Sequence, residues 1–452
     1  MVPLHRKSGA IGKAISDSAP LLVVCDEHGD MFEIPEYRMA GMTASEPVVP
    51  GPEELIDLPF GSDLFMLPGR SAVGYDPRRN SITEIKEYRG SPVYAAAAFM
   101  SPAYLQVLRA AYRTRPDAPV LPLYCYTALG WKNDRFVAAG MRIDADTRQD
   151  LHLVDINRIN ANAPKLIKKF PGNRLVNHLI TNCVARYGCP AARNFVLGRW
   201  ECPLPISISC NAECIGCISK QACDAGIRAS HDRISFVPAP REIIEVAVAH
   251  LEKAERPVVS FGQGCEGEPL MASGVIEESI RGIRKRTHRG IINLNTNASL
   301  PHAIERLCKA GLDSIRVSMN SAQQTRYERY YRPRNYRFGE VVESLRIARK
   351  FGIWSSVNYF IFPGLTDSAD EIAALNRIID ETRINMIQTR NLNMDPELYM
   401  QNLRLDPRAR NSIGIREWVA MMRRTRPRIK LGYFNPPREE MDRIPDWRNG
   451  GA

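Results

Sequence analysis

The chain has 452 residues, 44% hydrophobic and 25% charged, with a formal net charge of +11 and a pI near 9.1. That is the composition of an ordinary globular protein with room for two or three domains. It excludes a membrane-spanning chain, since no apolar run approaches the roughly 20 residues needed, and a disulfide framework, since eleven cysteines are too sparse and irregular for one. The basic balance favours anionic partners such as nucleic acid, nucleotides or acidic peptides without choosing among them.

In chain order, the first thirty residues contain basic side chains, but their apolar run (Ala19 to Cys25) is short and followed by acids. That is a poor secretory signal and a reasonable first strand, so the expected location is the cytoplasm. Residues 1–170 show β-prone runs at 21–25, 64–67, 121–131 and 150–156 between Pro- and Gly-rich turns, with one helical stripe at 102–115. They are expected to form a β-rich or α+β N-terminal domain. Residues 171–203, within a basic stretch that begins near 157, are expected to be a cysteine-containing connector.

From 204 the pattern becomes regular. Strands are expected at 204–209, 257–262, 291–296, 313–319, 353–362 and 384–390, separated by helices at 240–255, 274–288, 301–310, 338–351 and 368–382. Six strands alternating with helices imply a parallel α/β sheet with right-handed crossovers. The segment 204–390 is too short for eight strands, so an open six-unit barrel is expected. Residues 391–452 remain as a C-terminal extension.

The first strand runs into SISCNAECIGCISKQ, which places Cys210, Cys214 and Cys217 within eight residues. A cluster held by three thiolates rather than four leaves one iron open for another ligand. A zinc ion with an open position, or a structural site completed by Cys223, is the competing reading. In parallel α/β folds ligands bind beyond the carboxyl ends of the strands. The cysteines lie there, and so do GQGCEGEPL after the second strand, NTNAS after the third, SMNSA after the fourth and FPGLTD after the fifth.

Together, C-x3-C-x2-C, Gly-Glu-Pro and Ser-x-Asn at successive strand ends resemble the radical S-adenosylmethionine (SAM) superfamily. The likeness is greatest to the branch of glycyl-radical activating enzymes and molybdenum-cofactor synthase A-like proteins, and covers about residues 203–390. The resemblance implies a partial (β/α)6 barrel, with Cys210, Cys214 and Cys217 ligating a [4Fe–4S] cluster whose open iron is chelated by SAM. It implies reductive cleavage of SAM to a 5′-deoxyadenosyl radical that abstracts hydrogen from a substrate. By motif, Gly267, Glu268 and Pro269 receive the SAM amino group, Ser318 and Asn320 contact ribose or carboxylate, Asn297 lies beside SAM, and Pro363 and Gly364 meet adenine. Two positions depart from the pattern: Gly216 stands where an aromatic usually precedes the third cysteine, and Glu266 replaces the first glycine of Gly-Gly-Glu-Pro.

Cys183, Cys189 and Cys202 are candidates for an auxiliary Fe–S cluster or else buried structural thiols. Cys265, on the active face, is a candidate hydrogen donor or ligand of a second metal. The run RYERYYRPRNYRF (326–338) suits nucleic acid, a nucleotide-like substrate or an anionic peptide. The expectation is a radical SAM enzyme reduced by a partner such as flavodoxin or ferredoxin, acting on a peptide or protein. An RNA-modifying enzyme, or a non-catalytic nucleic-acid-binding protein whose cysteines hold zinc, is the alternative.

Overall fold

The computed structural model describes residues 19–448 apart from 224, 409, 410 and 446. The basic residues 1–18 lie outside it.

The N-terminal region is strand-rich and antiparallel, as its composition suggests. Leu21–Cys25 pairs with Met31–Met39, Tyr94–Phe99 and Leu129–Lys132. The stripe at 102–115 is not a helix. It forms three short strands, Tyr104–Gln106, Arg109–Ala110 and Tyr112–Thr114. Residues 105–112 are all buried, so the segment is covered on every side, and spacing alone cannot separate such a strand from a helix. The run 150–156, expected to be a strand, is a tight turn (Leu151–Leu153) leading into a helix, Ile156–Lys169. Asp155 caps that helix by accepting a hydrogen bond from the Arg158 amide. The connector is helical too, with Arg174–His178, a π-turn at Leu179–Val184, and Pro190–Val196.

The parallel sheet has seven strands in sequential order: Glu201–Leu204, Val258–Phe261, Ile291–Thr296, Ser314–Met319, Trp354–Ile361, Met386–Asn391 and Lys430–Gly432. The seventh lies inside the expected C-terminal extension, so the barrel does not end at 390. The first strand stops at Leu204 rather than continuing to 209. Beyond it Pro205 has no amide to offer, and the Ile206 and Ser207 amides donate to the Glu266 carboxylate (2.8 Å each) instead of to a neighbouring strand.

Alternation along the strands separates two environments. Phe261, Leu294, Ile315, Val317, Val357 and Ile387 face outward into one apolar core with Ile243, Ile276, Ile304, Leu345, Leu375 and Trp418 of the surrounding helices. The opposite face is polar in its upper part, carrying Ser260, Asn293, Arg316, Ser318, Asn358, Gln388 and Arg390. At the amino ends a second cluster of Trp200, Val258, Ile291, Trp354, Met386, Phe434 and Trp447 plugs the barrel floor.

The N-terminal region docks on the loops after the fifth and sixth strands. The Ala44 amide donates to the Pro363 carbonyl (2.8 Å), and the Gln106 amide to Asn391 Oδ1 (2.9 Å). Arg70 pairs with Asp395 at 2.9 Å, with side chains only 2% and 3% exposed. Among the described residues no helix is long and apolar enough to cross a membrane.

Candidate functional site

The three-cysteine loop is held from below by the tyrosine-rich helix Gln324–Tyr331. The Glu213 amide donates to the Tyr331 carbonyl (2.9 Å) and Ile215 to Tyr330 (3.1 Å), while Arg334 donates back to Asn211 (2.8 Å). Gln221 Nε2 donates to the Cys217 carbonyl (2.7 Å). Tyr327, Tyr330, Tyr331 and Tyr336 are buried, so the aromatic run is a support for the loop and not a stacking surface. At Gly216 a Cβ would meet the Tyr330 hydroxyl at 2.6 Å. The space that a side chain before the third cysteine would need is therefore taken by this phenol.

Cys210, Cys214 and Cys217 are half-buried and electrostatically close. Burial, then Cys217 and Cys210, push the Cys214 thiol well above its ordinary value. Burial and then Glu268 raise Cys210. Arg233 stands against Cys217, with a guanidinium nitrogen 3.7 Å from its sulfur.

Next to this loop, Gly267 and Glu268 run alongside residues 207–209. Their amides donate to the Ser207 (2.7 Å) and Ser209 (2.8 Å) carbonyls. A Cβ on Gly267 would stand 2.0 Å from the Ser209 carbonyl oxygen, so only glycine permits this approach. Glu268 is buried, and its carboxylate accepts from the Asn297 amide (2.8 Å), the Leu270 amide (3.1 Å) and the Thr296 hydroxyl. Burial pushes it up to about 7 against these hydrogen bonds. Pro269, also buried, opens the short turn that follows. Glu266 does not reach towards a substrate: its carboxylate is occupied by the amides of Ile206, Ser207 and Gln263.

Asn297 Nδ2 donates to Asn211 Oδ1 (2.8 Å), linking the third strand's end to the residue after Cys210. Asn320 is 3% exposed; its amide nitrogen reaches the Arg326 carbonyl and the Tyr399 hydroxyl (3.3 Å each), while its Oδ1 is buried without a partner among the described residues. Ser318 lies on the inner wall, in register with Asn358. Pro363 and Gly364 are instead turned to the N-terminal region: Gly364 has φ +92°, and a Cβ there would meet the Ala44 nitrogen at 2.5 Å.

The remaining cysteines are divided. Cys202 is fully buried in the first strand, within the core shared with the helices. Cys183 is 3.8 Å, sulfur to sulfur, from Cys265. His178, Cys183 and Cys265 bring their ligand atoms within 4.8 Å of one another. Sequence reasoning grouped Cys183 with Cys202 and had no signal for His178, which comes into place only through the fold of the connector.

Comparison with known proteins gives a family to this arrangement of thiols and strand ends: residues 204–375 match the model of the radical SAM superfamily. The chain contains a radical SAM domain. No curated protein matches. Among solved structures, the radical SAM domain and its surroundings resemble anSMEcpe with bound AdoMet (17% identity, TM-score 0.30, 42% of this chain and 49% of that one). They also resemble Streptococcus suis SuiB (13%, TM-score 0.36, 68% of each chain) and methylornithine synthase PylB (12%, TM-score 0.37, 60% and 77%). The chain thus spans about half the length of the first of these.

Radical SAM enzymes use a [4Fe–4S] cluster and SAM, and the residues here suit both. Three soft sulfur donors in one short loop are a donor set for iron or another thiophilic metal. The raised pKa values of Cys210 and Cys214 belong to the metal-free chain, and a bound cation reverses that preference. The partnerless Oδ1 of Asn320 is an unused acceptor in a buried place, which a ligand amine or hydroxyl would satisfy.

Proposed function

We propose that this chain cleaves SAM reductively and uses the resulting radical to take hydrogen from a peptide or protein that carries an anionic group. The observation that carries the reading is the three-cysteine loop, standing at the open end of a parallel barrel within the segment that matches the superfamily model. Cys210, Cys214 and Cys217 would hold the cluster; Gly267, Glu268, Pro269, Asn297, Ser318 and Asn320 would hold SAM. When bound, the cluster supplies the electron that splits SAM into methionine and the 5′-deoxyadenosyl radical. The protein's own part is to orient the sulfonium and exclude water from the mouth. Flavodoxin or ferredoxin is the proposed donor, and an activating-enzyme-like role is the favoured branch.

The inner wall supports the anionic substrate. Arg316 and Arg390 are half-buried inside the barrel, and their hydrogen bonds go to the neutral amides of Gln388 (3.1 Å) and Asn358 (3.2 Å). Burial, and then Arg390, push Arg316 down to about 9. Glu201 is an acidic neighbour of both, raised by burial and lowered by Arg316 and Arg390. Two guanidiniums facing one carboxyl leave a positive surplus in a place with little water, where an anion is strongly attracted. The buried tyrosines favour peptide over RNA, because no base can stack on them.

The test is anaerobic. Reconstituted protein given dithionite and SAM should release 5′-deoxyadenosine, and none from a fully loaded cluster would overturn the assignment. Release should be stimulated by a mixed library of acidic peptides more than by the same library with its carboxylates amidated. Arg390→Met should remove most of that difference, about tenfold for one charge-assisted hydrogen bond, while leaving release without peptide unchanged. Equal stimulation by both libraries would refute the anionic substrate but not SAM cleavage.

A further inference from the structure

Cys183 and Cys265 are far apart in sequence, yet their sulfurs are 3.8 Å apart in a buried place. A disulfide would bring them to about 2.05 Å. Two ligands of one tetrahedral zinc ion, each about 2.3 Å from the metal, stand about 3.8 Å apart, which is the edge of that tetrahedron. A cubane cluster assigns each cysteine to a different iron and separates the sulfurs more widely. The spacing therefore fits a single ion.

A second observation is independent of the sulfurs. His178, at the end of Arg174–His178, places a ring nitrogen within 4.8 Å of both. Its Nε2 is buried without a well-formed hydrogen bond among the described residues, although the ring acts on the Cys265 thiol. A buried nitrogen left without a partner is costly, and a metal would remove that cost. The Cys189 amide donates to the Cys183 carbonyl (2.8 Å), closing the turn between them, but its half-buried thiol lies outside the group whose ligand atoms approach one another within 4.8 Å. Cys183 itself lies in a π-turn, an irregularity that often marks functional positions in helices.

We propose that His178, Cys183 and Cys265 bind one zinc ion, separate from the three-cysteine loop. Cys202 takes no part. The ion ties the helical connector to the loop in which Cys265 immediately precedes Glu266, Gly267 and Glu268. Its role is structural: it fixes the segment whose Glu266 carboxylate holds residues 206 and 207 just ahead of Cys210. The assignment stands whatever the radical SAM domain acts on.

The test is zinc content of the full chain, purified from zinc-supplemented cells and washed with a mild chelator. Wild type should retain about one zinc per chain, and so should the Cys210→Ala/Cys214→Ala/Cys217→Ala variant. Cys183→Ser/Cys265→Ser should retain none. Zinc kept by that double variant, or lost with the three-cysteine loop, would overturn the proposal, as would a mass about 2 Da low from a Cys183–Cys265 disulfide. If the double variant fails to fold, zinc-edge X-ray absorption of wild type decides. Two sulfurs near about 2.3 Å and a nitrogen near about 2.0 Å are expected, and an oxygen-only or all-sulfur shell would refute it. His178→Ala, at a half-exposed residue, should lose zinc to chelator at least about tenfold faster, in keeping with the loss of one ligand; an unchanged rate counts against the site.

Discussion

Cys214→Ala is expected to abolish 5′-deoxyadenosine release and the SAM-sensitive signal of the reduced cluster, while the chain stays folded. The loop does not depend on this side chain for its shape. Backbone bonds from Glu213 and Ile215 to the tyrosine helix hold it on either side of Cys214. Truncating one half-buried thiol should cost no more than about 1–2 kcal/mol of stability. The measurement pairs iron analysis and product release with thermal unfolding. Full activity in the variant would remove Cys214 from the ligand set; a collapsed Tm would show that the loop's role is structural.

The second large effect is expected at Asp395. Its carboxylate accepts from Arg70 (2.9 Å) and from the Leu121 amide (2.9 Å), and it caps Pro396–Leu403 through the Glu397 and Leu398 amides. All of this is nearly sealed from water. Asp395→Ala leaves a buried guanidinium without its counter-charge, a change that typically costs about 3–5 kcal/mol. Because Arg70 and Leu121 belong to the N-terminal region and Asp395 to the loop after the sixth strand, the loss should loosen the docking of one on the other. Limited proteolysis should then cut the connector, and urea unfolding should shift to lower concentration. Arg70→Met/Asp395→Leu should recover part of the stability, since replacing both charges leaves none unpaired. If the double variant is worse than the single, the pair is not what holds the interface.

The alternating barrel was largely legible in the chain from 240 to 391, because helix and strand periods are unlike and each segment is amphipathic. Elsewhere local pattern was overruled by partners far away in sequence. The apolar run 204–209 reads as strand, yet a side chain, Glu266, takes the role of a neighbouring strand for Ile206 and Ser207. The run 102–115 shows a helical stripe, because burial on every side erases the alternation that would identify it as strands. The seventh strand is three residues long and carries no pattern of its own. At the site, the strand-end motifs were visible as sequence, but the convergence of His178 with Cys183 and Cys265 was not. That meeting depends on a π-turn and a loop far along the chain, and no spacing rule connects them.

The tryptophan-rich floor has a consequence for the order of events. With Trp200, Trp354 and Trp447 packed across the amino end, the floor is shut, and a ligand on the inner wall would reach it from the rim at the carboxyl ends of the strands. Ser318 and Asn320 stand two and four residues nearer the rim than Arg316 on the same run of chain, about 7 and 13 Å at strand rise. A ligand seated at the depth of Arg316 goes in before one seated at the level of Asn320, and comes out after it. If SAM and the substrate take the places proposed for them, occupancy is last in, first out, and turnover has an order imposed by a wall of indole rings.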